Sequence, residues 1–277
     1  MERSIDIEES LDDLNEWVRK SIELFRNTAY LDNIDEVYPL QIATPERIDS
    51  ALRRRIIMAH QARRTNELID ILQSLVKFPY DEPLWFLIKN IEGCQANNPR
   101  QIQRIADSLY AMTAEETVIR LESAPKLNTQ MGPMFNAWLK KSFDMLELDD
   151  FRKSKKGIYV LDSSEEDGKT FINKELKQSL KKRPDLVAKV NNTYVIGEAK
   201  WIGSPGGNQD KQVDEVLDFC RSQRGNVIRV GIIDGFPWAI KNSNGSIINF
   251  KAAVQVQESE YDILSALLLE DYFETLL

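Results

Sequence analysis

The feature that most constrains the fold is a pair of short strand-like runs in residues 184–200, PDLVAKVNNTYVIGEAK. Both runs are rich in valine and isoleucine, and two asparagines separate them, a residue type that tolerates the positive φ of a two-residue hairpin turn. With that turn, Val190 pairs with Thr193, and the same register pairs Asp185 with Glu198. Opposite residues of such a hairpin have Cβ atoms ~4.5–5.5 Å apart. The pattern therefore predicts two neighbouring carboxylates at the end of a strand pair.

A lysine joins these two acids. Lys200 lies two residues beyond Glu198, so both side chains project from the same face of the strand. Adjacent carboxylates repel unless a proton or a cation lies between them, and Mg²⁺ prefers carboxylate oxygens while leaving positions for water and phosphate. Such a metal neutralises a scissile phosphate and lowers the pKa of its water, and a lysine can hold that water and stabilise the developing charge. The cluster is typical of phosphodiester hydrolysis.

The histidine content agrees with this chemistry. His60 is the only histidine in the chain. Zinc hydrolases and paired-histidine nucleases need more than one histidine, and a Ser-His-Asp triad needs one beside its nucleophile. Hydrolysis by this chain must therefore depend mainly on carboxylates, lysine and a hard metal. The alternative is an exposed hairpin whose acids and lysine are ordinary surface charges.

The spacing of these residues resembles a known active-site signature. Pro184-Asp185, twelve intervening residues and Glu198-Ala199-Lys200 are similar to the motif of the PD-(D/E)xK nuclease superfamily. The wider stretch from 130 to about 215 resembles type II restriction endonucleases, in the runs QMGPMFNAWLKKSF, KKRPDLVAKV and YVIGEAKWIGSPGGNQDKQ. The resemblance implies a restriction-endonuclease-like core, in which helices flank a mixed central sheet. It also implies cleavage of double-stranded DNA by a homodimer or higher homo-oligomer, with Mg²⁺ as the cofactor and Mn²⁺ able to replace it.

The resemblance also assigns roles to individual residues. It makes Asp185, Glu198 and Lys200 the catalytic residues. Asp185, Glu198 and the backbone carbonyl of Ala199 would be metal ligands, and Lys200 would position the nucleophilic water. Many relatives place an additional acid on the helix before the sheet, where this chain has Asn136. How a second metal would be held therefore stays open.

The apolar spacing changes along the chain and predicts an α/β fold of the α+β kind. Up to about residue 146 the apolar residues recur at helical intervals. Strand-like runs follow at 157–161, 186–190, 194–201 and 227–233, with a helix at 211–222. We expect residues 1–125 to form a mostly helical region, a candidate for DNA binding or dimerisation, and residues 126–277 to form the catalytic core.

Two shorter segments carry separate predictions. The acidic run 162–167, DSSEED, predicts a solvated loop, and the apolar run 252–256 predicts a short extended segment. The helix that begins at Gly132-Pro133 carries an apolar stripe that reaches Leu146.

Charge is distributed unevenly, which bears on DNA as a partner. The net charge is −8, yet residues 1–37 carry −7 and residues 257–277 carry −6, so the segment between them is positive. The glycine-rich loop after Lys200 could approach phosphates or read bases, although a plain turn explains it equally well. The candidates for DNA contact are Arg53, Arg54, Lys140, Lys182, Arg183, Ser204, Gly206, Gly207, Asn208, Gln209 and Lys211. For any one of the basic residues, a solvated helix face is the simpler interpretation.

Location and function follow as expectations. No apolar run approaches the ~20 residues of a membrane span, and the two cysteines show no disulfide spacing. We expect a cytoplasmic prokaryotic protein with no membrane contact. The first interpretation is a type II restriction endonuclease with a short, palindromic target. The alternatives are another nuclease of the superfamily, acting in repair, junction resolution or transposition, and a non-catalytic DNA-binding or interaction protein.

Overall fold

The computed structural model describes residues 11–39, 47–75, 77–82, 84–90, 93–123, 131–241 and 245–277, with only the backbone at 86 and 87. The helices are α1 (Glu16–Asn27), α2 (Tyr30–Asn33), α3 (Ser50–Gln61), α4 (Thr65–Gln73), α5 (Trp85–Asn90), α6 (Cys94–Asn97), α7 (Pro99–Tyr110), α8 (Ala114–Glu122), α9 (Met131–Ser142), α10 (Leu148–Lys153), α11 (Glu165–Lys174), α12 (Gly207–Arg221), α13 (Lys251–Gln257) and α14 (Leu269–Glu274). The strands are β1 (Asp144–Glu147), β2 (Ile158–Asp162), β3 (Leu186–Val190), β4 (Thr193–Ile202), β5 (Val227–Gly235) and β6 (Ile263–Leu264).

The described residues fall into two compact units. One lies within Met1–Leu40 and Leu127–Leu277, and the other lies within Gln41–Lys126. The sequence had suggested a division into 1–125 and 126–277. The structure differs in residues 11–39, which fold with the sheet. The helical unit is thus inserted, along the chain, into the α/β unit. Whether the helical unit binds DNA or mediates dimerisation stays a prediction.

The α/β unit is built on a six-stranded mixed sheet in the order β1-β2-β3-β4-β5-β6. β2, β3 and β4 are antiparallel neighbours, whereas the pairs β1–β2, β4–β5 and β5–β6 are parallel. Helices α1, α9, α10 and α12 contact the strands. This mixed sheet with flanking helices is the architecture that the sequence predicted.

Alternating side chains of the central strands enter separate cores. Val187 and Ile196 pack with Phe151 and Phe171 of α10 and α11. Leu186, the neighbour of Val187, belongs to the larger core on the other face, which also contains residues of α1, α9 and α12. Both strands are therefore apolar on both faces, as expected for a sheet covered on two sides.

A buried carboxylate on β5 connects the N-terminal helices to the sheet. Asp234 is fully buried and accepts hydrogen bonds from the hydroxyls of Tyr30 (3.0 Å), Tyr38 (3.1 Å) and Ser265 (2.6 Å). The backbone N–H of Ala266 donates to it at 3.2 Å. We call these five residues the Asp234 cluster. It explains why residues 11–39 fold with the sheet, because a buried carboxylate needs donors and these segments supply them.

The helical unit has its own core, formed by buried residues of α3, α4, α7 and α8 such as Ile56, Leu72 and Ile105. Its helices carry clear start signals. Thr113 and Glu116 form a reciprocal capping box at the start of α8, as their spacing predicts.

Three local predictions were wrong. Residues 252–256 are helical, in α13, because a short buried apolar run has no period that distinguishes strand from helix. The run 162–167 is not a loop throughout, since Ser164 caps α11 by accepting a hydrogen bond from the N–H of Asp167. The helix after Gly132-Pro133 ends at Ser142, and Leu146 lies on β1.

Within the part of the chain that the structure describes, no helix combines the length and the apolar character needed to cross a bilayer.

Candidate active site

The β3–β4 hairpin has the register predicted from its turn. The strands pair antiparallel from Val190 with Thr193, beside the turn, to Leu186 with Gly197 at the open end. Asn191 in the turn adopts a left-handed φ of 53°. Asparagine accepts this conformation more readily than most residues because its side chain can hydrogen bond locally.

Asp185 lies at the open end of the hairpin, where the register continues to Glu198. Its Oδ2 accepts a hydrogen bond from the backbone N–H of Ala199 at 2.9 Å, which fixes the carboxylate against β4. Burial and the negative charge of Glu198 raise the pKa of Asp185, whereas the hydrogen bond from Ala199 and the charges of Lys182 and Lys200 oppose the rise. The charge of Glu198 therefore disfavours the ionised form of Asp185, and a bound cation would oppose this effect.

Glu198 is almost completely buried and has two ammonium partners on the same oxygen. Its Oε1 accepts a hydrogen bond from Lys200 Nζ at 2.8 Å and another from Lys182 Nζ. Burial by itself lowers the pKa of Lys182, but the hydrogen bond and the charge of Glu198 outweigh it and raise the pKa overall. We call Lys182, Asp185, Glu198 and Lys200 the acid–lysine cluster.

A further acid reaches this cluster from α12. Glu215 Oε2 lies 3.8 Å from Lys200 Nζ, and the Glu215 side chain is mostly exposed. Sequence reasoning missed this residue, as it missed Lys182 as a partner of Glu198. The available signal was the helix predicted directly after the lysine strand, since such a helix returns along the sheet and brings one face towards it. Asn136 is exposed on α9.

The oxygen donors of the cluster fit a hard divalent cation. Among the described residues, no three Asp, Glu, His or Cys side chains form a group that could hold a metal by themselves. Mg²⁺ does not require such a group, because it commonly binds one or two carboxylates and completes its shell with waters and substrate phosphates. Asp185 and Glu198 supply two carboxylates, and burial together with the charge of Glu198 raises the pKa of Asp185, an effect that a bound cation would oppose.

Two cavities open on the acid–lysine cluster. The smaller one has a volume of about 200 Å³ and is lined by Met131, Gly132, Asp185, Ala199, Lys200, Trp201, Gln209 and Gln212. The larger one, of about 520 Å³, includes Lys182, Glu198 and Glu215 in its lining. Asp185 lines the smaller cavity and Glu198 lines the larger one, so the end of the hairpin borders both.

The residues predicted to contact DNA lie in several places. Ser204, Gly206, Gly207, Asn208 and Lys211 are exposed in the loop after β4 and the first five residues of α12. Gln209 is half-buried in the same segment and lines the smaller cavity. Their contact with DNA stays a prediction.

The basic candidates are partly engaged by the protein itself. Lys140 forms an ion pair with Asp162 at 3.0 Å. Arg183 donates to the carbonyl of Leu161 at 2.8 Å, and burial lowers its pKa. In the helical unit, Arg53 forms an ion pair with Glu122 at 3.3 Å, and Arg54 donates a hydrogen bond to the carbonyl of Ser50 at 3.3 Å. Both arginines of α3 therefore have partners within the helical unit.

Comparison with known proteins adds one finding. A family model described as Tsp45I type II restriction enzyme matches residues 15–276, nearly the whole chain. No curated protein and no solved structure matches the chain.

Proposed function

Because the chain belongs to the Tsp45I type II restriction enzyme family and is therefore a type II restriction endonuclease, we propose that it works as a PD-(D/E)xK enzyme with a Mg²⁺ cofactor. Its catalytic residues are Asp185, Glu198 and Lys200, and the substrate is double-stranded DNA with a short recognition sequence. We expect the enzyme to accept Mn²⁺ as a substitute for Mg²⁺.

The observation that carries the proposal is the convergence of two carboxylates and an ammonium group at one strand end. Leu186 pairs with Gly197, so the adjoining positions bring Asp185 beside Glu198. Lys200 Nζ lies 2.8 Å from Glu198 Oε1. This combination is costly in a buried position without a functional reason, because adjacent carboxylates repel.

The residues of the proposed site have separate roles. Asp185 and Glu198 would hold the cation, and the Ala199 carbonyl is a further candidate ligand. When bound, Mg²⁺ supplies positive charge at the scissile phosphate and acidifies a nearby water. Lys200 orients that water and stabilises the charge that develops on the phosphate, as a fixed point charge in a partly buried site. The hydrogen bond from Ala199 to Asp185 keeps the carboxylate in position.

Symmetry is the second part of the proposal. We propose that two copies of the chain act together, each cutting one strand, because a twofold protein matches a twofold DNA site. A palindromic or nearly palindromic target follows. Acting on DNA inside the cell, the enzyme would be located in the cytoplasm of a prokaryote.

A digest of plasmid DNA tests the proposal. The purified chain with Mg²⁺ is expected to give discrete bands, and end sequencing of the fragments should return one short symmetric sequence. Addition of a chelator should abolish cleavage, and Mn²⁺ should restore it. Cleavage that persists with excess chelator would contradict the metal site. A target without symmetry, or a monomer in sedimentation with and without DNA, would contradict the dimer.

A further inference from the structure

Glu198 is unusual because two ammonium groups share one of its oxygens. Lys200 comes from the same strand, two residues further on, and its side chain is only 19% exposed. Lys182 comes from the segment before Pro184, and its side chain is 58% exposed. Among the described residues, Glu198 is the one hydrogen-bond partner of Lys182 Nζ. The two lysines therefore differ in how firmly the fold holds them.

The position of Lys182 has a consequence for cation binding. Its ammonium lies on Glu198, which is one of the two proposed metal ligands, and helps to neutralise the carboxylate pair in the absence of metal. A divalent cation bound to the same carboxylate would repel this ammonium. Lys200 is confined by its strand, whereas Lys182 has a long, exposed side chain that can leave. Cation binding and the Lys182–Glu198 ion pair thus compete.

We propose that, in the free enzyme, the Lys182 ammonium pairs with Glu198 at the place where the divalent cation would bind. When DNA phosphates bind Lys182, the lysine leaves Glu198 and the carboxylate becomes available to the cation, so that cation binding and DNA binding reinforce each other. The inference rests on the proposed metal site. DNA can compete with Glu198 for Lys182 because phosphate groups are strong acceptors for an exposed lysine. If Glu198 is catalytic, the larger cavity, which both residues line, lies close to the scissile strand.

This coupling is reciprocal. If DNA increases the affinity for the cation by a given factor, the cation increases the affinity for DNA by the same factor. Free enzyme would then carry little metal at its active site, and the complete site would form only on DNA. Lys182 acts here as a positioning residue, because it affects the reaction through Glu198.

Calorimetric titration of the full chain tests the inference. Mg²⁺ is titrated into the wild-type protein, Lys182→Met and the matched control Lys181→Met, which removes an adjacent exposed lysine. A second set of titrations uses Ca²⁺ and a duplex with the recognition sequence found by the digest, with a gel to verify that the duplex stays intact. Without DNA, we expect Lys182→Met to bind Mg²⁺ at least about fivefold more tightly than wild type. DNA should increase the Ca²⁺ affinity of wild type and Lys181→Met by a larger factor than that of Lys182→Met, because only the first two proteins gain the release of Glu198 in addition to the phosphate ligands.

The possible results distinguish this inference from the proposed function. If wild type binds the cation and cleaves DNA but Lys182→Met binds Mg²⁺ no more tightly, the inference is wrong and the metal site stands. If none of the three proteins binds a cation with or without DNA, the metal site is wrong and the inference fails with it. Thermal unfolding gives a second readout. Without metal, Lys182→Met should melt at a lower temperature than wild type, and Mg²⁺ should raise its melting temperature by a larger amount; an equal rise in both proteins would also contradict the inference.

Discussion

Two buried carboxylates on the adjacent strands β4 and β5 have contrasting surroundings. Asp234 is held by three hydroxyls and a backbone N–H, all neutral donors fixed by packing. Glu198 is held by two ammonium groups, one of them on a mostly exposed side chain. Neutral donors from several segments connect parts of a fold, whereas charged and movable partners can be replaced by another cation. The contrast agrees with a structural role for Asp234 and with the proposed role of Glu198 as a metal ligand.

The largest expected effect lies at the acid–lysine cluster. Lys200→Ala or Asp185→Ala should reduce cleavage at least about a thousandfold, because the first removes a positive charge at the reacting phosphate and the second removes a proposed metal ligand. Sequence-specific binding should survive in a gel-shift assay. Single-turnover cleavage of plasmid DNA measures the loss, and cleavage at the wild-type rate by either variant would remove that residue from the catalytic set.

The same kind of change at Asp234 should affect stability instead. Asp234→Ala leaves three hydroxyls and an N–H without their acceptor in a buried position. We expect the free energy of unfolding to fall by roughly 3 kcal/mol or more. Urea denaturation measures the change. Tyr30→Phe, which removes one donor, should cost about 1 kcal/mol, and a negligible effect of Asp234→Ala would show that the cluster does not hold the N-terminal helices.

The pH dependence of stability gives a third comparison. Burial raises the pKa of Asp234 to about 6 from its usual 3.8, and the four donors limit the rise. The folded state therefore holds the proton more tightly than the unfolded state, so the contribution of this group to stability increases as the pH falls from about 6 to about 4. A pKa difference of about two between the folded and the unfolded state corresponds to at most about 3 kcal/mol of unfolding free energy. Urea unfolding of wild type and Asp234→Asn between pH 7 and pH 4 isolates the contribution, and parallel curves for the two proteins would contradict it.

The smallest expected effect is a change in stability at Asp185, which shows whether its charge destabilises the metal-free protein. Asp185→Asn keeps an acceptor for the Ala199 N–H and removes the repulsion with Glu198. Without divalent cation, we expect it to be more stable than wild type by up to about 1 kcal/mol, and Mg²⁺ should stabilise only the wild type. Thermal unfolding with and without Mg²⁺ measures both, and a destabilised Asp185→Asn would indicate that the charge of Asp185 is already compensated.

The sequence was informative where a local pattern determines geometry. The two asparagines and the apolar strands on either side of them determine the hairpin register, and the register alone brings Asp185 beside Glu198. The partners from other elements were not predictable in this way. Lys182 and Glu215 reach the cluster from a loop and from α12, and the sequence gives no register that relates either of them to Glu198. The apolar run 252–256 shows the related limit of periodicity, since burial on all sides removes the pattern that separates helix from strand.

The Asp234 cluster has a consequence for the order in which the protein can form. Tyr30 and Asp234 are 204 residues apart in the chain, while the helical unit is continuous within Gln41–Lys126. During synthesis, which proceeds from the N-terminus, the helical unit can fold as soon as it emerges from the ribosome. The first two helices must wait until β5 and Ser265 have been made. The α/β unit, which carries the proposed active site, is therefore the last part of the molecule to be completed.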